Sequence, residues 1–137
     1  MSTKPNLAST PRNIKHQLTN AHGTALQTIY TAPAGGGRID SLNVSSTDTS
    51  ARDIQLYVTI GGIDYLLGTV SIPITAGFIA ATPSVNLLAS INIPGALLDP
   101  YSNKVIILEG AAILKWAAVV TLTAAKTLNL LGMAGEF

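Results

Sequence analysis

Asp53-Ile54-Gln55-Leu56-Tyr57-Val58-Thr59-Ile60, followed at once by Gly61-Gly62 and then Ile63-Asp64-Tyr65-Leu66-Leu67, decides the fold class of this chain. Ile54, Leu56, Val58 and Ile60 fall on one face, and Asp53, Gln55, Tyr57 and Thr59 on the other. Period-two alternation without an error is the pattern of a strand with one face buried. Two glycines accept the positive φ that a tight hairpin turn needs, so 53–60 and 63–70 are expected to pair antiparallel.

The same punctuation continues in both directions. Turn clusters fall at Asn20-Ala21-His22-Gly23, Pro33-Ala34-Gly35-Gly36-Gly37, Ser46-Thr47-Asp48-Thr49-Ser50, Pro94-Gly95, Asp99-Pro100 and Glu109-Gly110. Between them, strands are expected at 13–18, 24–31, 38–45, 85–90, 104–108, 112–122 and 126–133. Beyond Lys115 both faces of the 112–122 segment are apolar, which implies cover on both sides. Alanine at 111–125 favours a helix, but Val119-Val120-Thr121-Leu122-Thr123 is rich in β-branched residues and outweighs it. Eight or nine short strands with turn signals every 8–12 residues and no helix mean an all-β, antiparallel β-sandwich, with a jelly roll as first choice. Residues 1–11, with Pro5 and Pro11, are expected to be an irregular N-terminal arm, and 12–137 the sandwich domain. No internal repeat is present.

With 137 residues the chain suits one domain. It has no cysteine, so a disulfide scaffold, thiolate-bound zinc and a thiol nucleophile are all excluded. Only 11% of residues are charged, with a formal net charge of +1, and 47% are hydrophobic. The usual charged share is about 25%. A surface so poor in charge fits a protein held against another macromolecule; the alternative is a solvated coat of Ser, Thr and Asn. No charged residue occurs between Asp64 and Asp99, yet Pro73, Gly77, Pro83 and Pro94 interrupt that run. It will not form a spanning helix. No apolar stretch follows Lys4, so no signal peptide is expected and synthesis is placed in a cytoplasm.

Residues for chemistry are sparse. His16 shares a strand face with Ile14 and Leu18, and His22 lies in the following turn. Two histidines without a third ligand hold a metal weakly, so a packed His16 and an exposed His22 are preferred. No G-x-S-x-G elbow occurs, and Asp48, Asp53, Asp64 and Asp99 sit in or beside turns where Asp bonds locally. Gly35-Gly36-Gly37 precedes a strand and not a helix, so it is read as a flexible loop and not a phosphate cradle. Cations are scattered and aromatics are 5% of residues, which argues against nucleic acid. Trp116 and Phe78 are expected to fill the core or an interface. No catalytic residue, metal or cofactor is assigned, and no enzyme activity is expected.

Thr28-Ile29-Tyr30-Thr31-Ala32-Pro33-Ala34-Gly35, followed by Arg38-Ile39-Asp40-Ser41-Leu42-Asn43-Val44, resembles a strand–turn–strand unit of small virion proteins of tailed bacteriophages. Val58–Leu67 and Thr123–Asn129 are similar to the same group, so the resemblance touches about two-thirds of the chain. It implies a capsid decoration (cement) protein: a virion component on the capsid surface that bridges neighbouring major capsid protein subunits and stabilises the shell. It further implies a homo-oligomer, dimer or trimer, without nucleic acid or membrane partners. Shell contact is expected from the arm (Lys4, Pro5, Asn6, Arg12) and from the apolar stretch Ile74 to Ala81, where Phe78 and Ile79 stand out. For that stretch a ninth strand or ordinary core is the competing expectation. The alternatives are a tail, fibre or neck component, and a carbohydrate-binding jelly-roll module using Tyr57, Tyr65 or Tyr101.

Overall fold

The hairpin forms with the expected pairing, but the alternation of burial breaks near its tip, where Thr59 is buried and Ile60 exposed beyond a register shift between Leu56 and Tyr57. In the computed structural model, which describes residues 10–97 and 104–137, strands Arg52–Ile60 and Ile63–Ile72 pair antiparallel with Ile60 opposite Ile63. Gly61 and Gly62 close the turn with φ of 60° and 81°, the double positive φ that suits the twist of the flanking strands.

In chain order the strands are β1 (Thr10–Thr19), β2 (Gln27–Thr31), β3 (Gly37–Ser46), β4 (Arg52–Ile60), β5 (Ile63–Ile72), β6 (Val85–Asn86), β7 (Ala96–Leu97), β8 (Lys104–Leu108), β9 (Ile113–Ala118) and β10 (Thr127–Glu136). Among the described residues the only helical pieces are two 3-10 turns, Asn20–His22 and Leu87–Ala89. One sheet runs β1-β10-β3-β8-β7, with β6 beside β3; the other runs β2-β9-β4-β5. Leaving aside the two-residue strands β6 and β7, eight strands remain, and they nest. The first pairs with the last (β1 with β10), the second with the seventh (β2 with β9), the third with the sixth (β3 with β8), and the fourth with the fifth (β4 with β5). Alternate pairs lie in opposite sheets. This is the jelly roll, one long hairpin closed at Gly61-Gly62 and rolled up on itself.

The core lies between the sheets. Trp116, Ile14, Leu18, Ile39, Leu42, Ile54, Leu56, Leu114 and Leu122 are fully buried. Each buried Leu or Ile contributes about 1.5–3 kcal/mol over its exposed state, whereas exposed ion pairs contribute about 0–1 kcal/mol. Apolar burial therefore holds the sandwich together.

Several boundaries differ from the sequence expectation. β1 begins at Thr10, so Thr10 and Pro11 belong to the strand; residues 1–9 lie outside the described residues. β2 starts at Gln27 and not at 24, because Gly23 and Ala25 bond back to Asn20 and His22 in a turn. The 85–90 segment is a strand for two residues only. Asn86 Oδ1 then accepts from the Leu88 N–H at 3.1 Å, and the resulting turn buries the consecutive side chains of Leu87 and Leu88. A strand would send those two to opposite faces. β9 ends at Ala118, and Val119 and Val120 are exposed, against the expectation of cover on both faces. Gly35-Gly36-Gly37 is no flexible loop. Gly36 has φ 89°, and a Cβ there would lie 2.8 Å from the Leu108 carbonyl oxygen; one at Gly37 would lie 2.7 Å from the Tyr30 hydroxyl.

Candidate functional site

The nesting sorts the connections onto two ends. The hairpin tip at Gly61-Gly62, the 32–36 crossing, the 109–112 turn and the last residues share one end. The connections at 20–26, 47–51, 73–84 and 119–126 share the other, called here the loop end. β3 runs from one end at Gly37 to the other at Ser46.

The residues expected to bind a shell divide between these ends. Lys4, Pro5 and Asn6 lie outside the described residues. Arg12, on β1, donates from Nε to Glu136 Oε1 at 2.9 Å, while the Tyr30 hydroxyl donates to Glu136 Oε2 at 2.9 Å. The guanidinium holds the Glu136 carboxyl below its ordinary value. Burial, and then the bond to Glu136, push the Tyr30 hydroxyl up to about 12. Arg12 thus pairs with the last strand at the hairpin end through a contact open to solvent on the arginine side. Phe78 and Ile79 stand at the loop end, separated from Arg12 by most of the length of β3, about 25 Å at strand rise. The two expected patches do not form one site.

The loop end is built as a platform. Asp48 is fully buried and accepts from the Ser50 N–H (3.0 Å), Arg52 Nε (3.0 Å), the Thr123 N–H (3.1 Å) and the Thr123 hydroxyl (2.8 Å). Burial alone would raise its pKa; these four donors outweigh that and hold it far below the usual carboxylate range. The network joins the 47–51 loop to the 119–126 loop. The 73–84 loop is fastened separately: Ala76 is fully buried and its carbonyl accepts from the Ser46 N–H at 2.9 Å. Within the loop, Gly77 N–H bonds to Thr82 (2.8 Å), Phe78 N–H to Thr75 (2.9 Å) and Thr82 N–H to Ile79 (3.1 Å).

On this fastened backbone the side chains of Ile74, Phe78 and Ile79 point to solvent, Phe78 with 57% of its surface exposed. The stretch is no ninth strand, and of it only Ala76 enters the core. Val119 and Val120 are exposed at the same end. Large apolar side chains are exposed at the hairpin end too (Ile60, Ile63, Tyr65, Leu66), but there they stand on paired strands, whereas Ile74, Phe78 and Ile79 stand on one hydrogen-bonded loop. A backbone fastened in this way would have little conformational entropy to lose to a partner.

Other candidate chemistry is absent from the described residues. No group of three His, Cys, Asp or Glu is placed to hold a metal ion. His16 Nδ1 accepts from the Trp116 indole N–H at 3.0 Å, and His22 Nδ1 from the Thr19 N–H at 3.0 Å. A neutral imidazole carries one proton, so each Nε2 holds it and neither ring has a free lone pair. His22 is half-buried and not exposed. Among the described residues the tyrosines are dispersed: Tyr30 is buried, Tyr57 is half-buried with its hydroxyl donated to Gln55, and Tyr65 is exposed near the hairpin tip. Tyr101 is outside the described residues.

The Asp48 network and the His16–Trp116 bond both escaped the sequence. Asp48 looks like any turn Asp, and its partner Thr123 lies 75 residues away. Arg52 at i+4 is the one local sign of the network.

No family model matches the chain, and no curated protein sequence matches it. Among solved structures, the chain is similar to one from the acidic stable capsid structure of Helicobacter pylori bacteriophage KHP30. The similarity covers 96% of this chain and 97% of that one, with a TM-score of 0.44 and 9% identity.

Proposed function

We propose that this protein is a non-enzymatic structural component of a tailed-phage virion, a decoration (cement) protein on the outside of the head. The observation that supports it most is the uncharged 73–84 loop at the loop end, which presents Phe78, Ile79 and Ile74 to solvent from a fastened backbone. The resemblance of Thr28–Val44 to phage virion units directs the choice of partner toward the major capsid protein. Cement action is linkage: the assembled shell binds the protein, the separated subunits do not, and the shell gains stability. Repetition by symmetry, with the protein as a dimer or trimer, multiplies a modest single-site affinity. Nucleic acid and membrane have no part in this reading, and none of the described helices is long and apolar enough to cross a membrane. Synthesis would be in the host cytoplasm, with the capsid surface as destination.

The test is co-sedimentation with a panel of emptied tailed-phage heads, using the natural chain and the Phe78→Ser/Ile79→Ser double variant. Binding at fixed stoichiometry that the double variant loses supports the proposal. Binding to tail or fibre preparations alone would move the protein to those structures. Failure on every phage particle, with signal on a glycan array, would replace the proposal with a carbohydrate-binding one.

A further inference from the structure

We infer that His16, Trp116 and His22 form an acid-sensitive clasp between the two sheets, closed while His16 is neutral and opened when it takes up a proton. The inference does not depend on the virion reading. Trp116 on β9 belongs to one sheet and His16 on β1 to the other, and the 3.0 Å bond from the indole N–H to His16 Nδ1 spans the sandwich. Trp116 is fully buried, so its N–H requires an acceptor inside the protein, and His16 supplies it. The two rings meet edge to face, with centroids 5.9 Å apart. His22, in the turn that follows β1, stacks obliquely on His16 at 5.4 Å and is itself fixed by the Thr19 N–H.

A proton at His16 Nδ1 would turn the acceptor into a donor facing another donor. The indole N–H would then be buried and unpaired, a state that costs about 1–3 kcal/mol. His16 is half-buried, and among the described residues no acid is placed to pair with its charge. On β1, Lys15 and Gln17 point to the opposite face, and across the ladder on β10 His16 faces Leu130. On β9, Lys115 points outward to Asp64. From the adjoining turn comes only His22, whose protonation would add a like charge. The 119–126 loop carries Lys126 and no acid. Asp48, the buried acid at this end, has its oxygens engaged by Arg52, Thr123 and Ser50. No carboxylate hydrogen-bonds to either ring among the described residues.

Burial, and then His22, lower the pKa of His16 from its ordinary 6.5. Below that value the unfolded chain binds more protons than the folded one. The clasp therefore contributes fully above about pH 6.5 and is lost as pH falls through the unfolded value toward the folded one.

The experiment is a proton NMR titration of the full chain, following both histidine Cε1–H signals and the indole N–H of the single tryptophan. His16 should titrate below 6.5. In the same step the indole proton should exchange with solvent on the order of tenfold faster. His16→Gln keeps an acceptor amide and should abolish the step; Trp116→Phe removes the donor and should move the His16 midpoint upward. A His16 midpoint at or above 6.5, an indole proton indifferent to that titration, or a step that survives His16→Gln would overturn the inference. The first two outcomes need no variant to fold.

Discussion

Asp48 shows how much a single side chain can carry. It is a buried acid with four donors on it, and removing the charge leaves Arg52 without its buried partner. Breaking such a pair from one side costs about 3–5 kcal/mol, so Asp48→Ala should lose stability of that order in urea unfolding. The sign with pH follows from the depressed pKa. Stability from Asp48 is complete above the unfolded value of 3.8 and is lost as pH falls below it. The natural chain should show an acid limb below that pH which Asp48→Asn flattens. Two glycines make a second contrast. Around Gly62 nothing lies within 4 Å of an added Cβ, but φ is 81°, so Gly62→Val should cost about 1–3 kcal/mol through backbone strain alone. Gly37 has no positive φ and no room beside the Tyr30 hydroxyl, so Gly37→Ala should act through packing and be partly rescued by Tyr30→Phe. A thermal-melt comparison of these variants separates the two causes.

Among elements, β9 is the one the fold can least spare. It lies between β2 and β4 and carries Leu114, Trp116 and Ala118 into the core. Trp116→Ala should cost about 3–5 kcal/mol, read by chemical denaturation. Leu131→Ala, on exposed β10 surface, should change stability by less than about 0.5 kcal/mol. The strands were legible because alternation is local. Ile54, Leu56 and Val58 announce their own inward face, as do Ile14, His16 and Leu18. Some expectations failed on local turns, as at Asn20–Ala25 and Asn86–Leu88; at β9 a contact distant in sequence redirected the chain. Val119 still bonds to the Asp53 carbonyl at 3.0 Å, but Thr123 is held by Asp48, so the chain turns away four residues before the apolar run ends.

At the scale of the whole molecule, two ends differ in what they do. The hairpin end carries the Arg12–Glu136–Tyr30 cluster and also exposes Ile60, Ile63, Tyr65 and Leu66, while the loop end presents Ile74, Phe78 and Ile79 from one uncharged loop. If the loop end is the shell contact, binding should change little between low and high salt, because no charge pair dominates it. A charged interface would weaken as the screening length falls from about 10 Å at 0.1 M to about 3 Å at 1 M salt. Sedimentation at the two ionic strengths reads the difference. Phe78→Ser/Ile79→Ser should abolish binding while leaving the melting temperature nearly unchanged, since both side chains are already in solvent.

By itself the sequence determined the fold class, the central hairpin and the apolar character of the 74–81 stretch. Each depends on spacing within ten or so residues: period-two alternation, two adjacent glycines, a run without charge. Only the tertiary structure decided which strands share a sheet, and so which residues share an end. Alternation tells a strand which face to bury but not which partner to take, and β1 finds its partner more than a hundred residues away. For the same reason Arg12 and Phe78, each expected to meet the shell, stand at opposite ends, while His16 and Trp116 touch across the core.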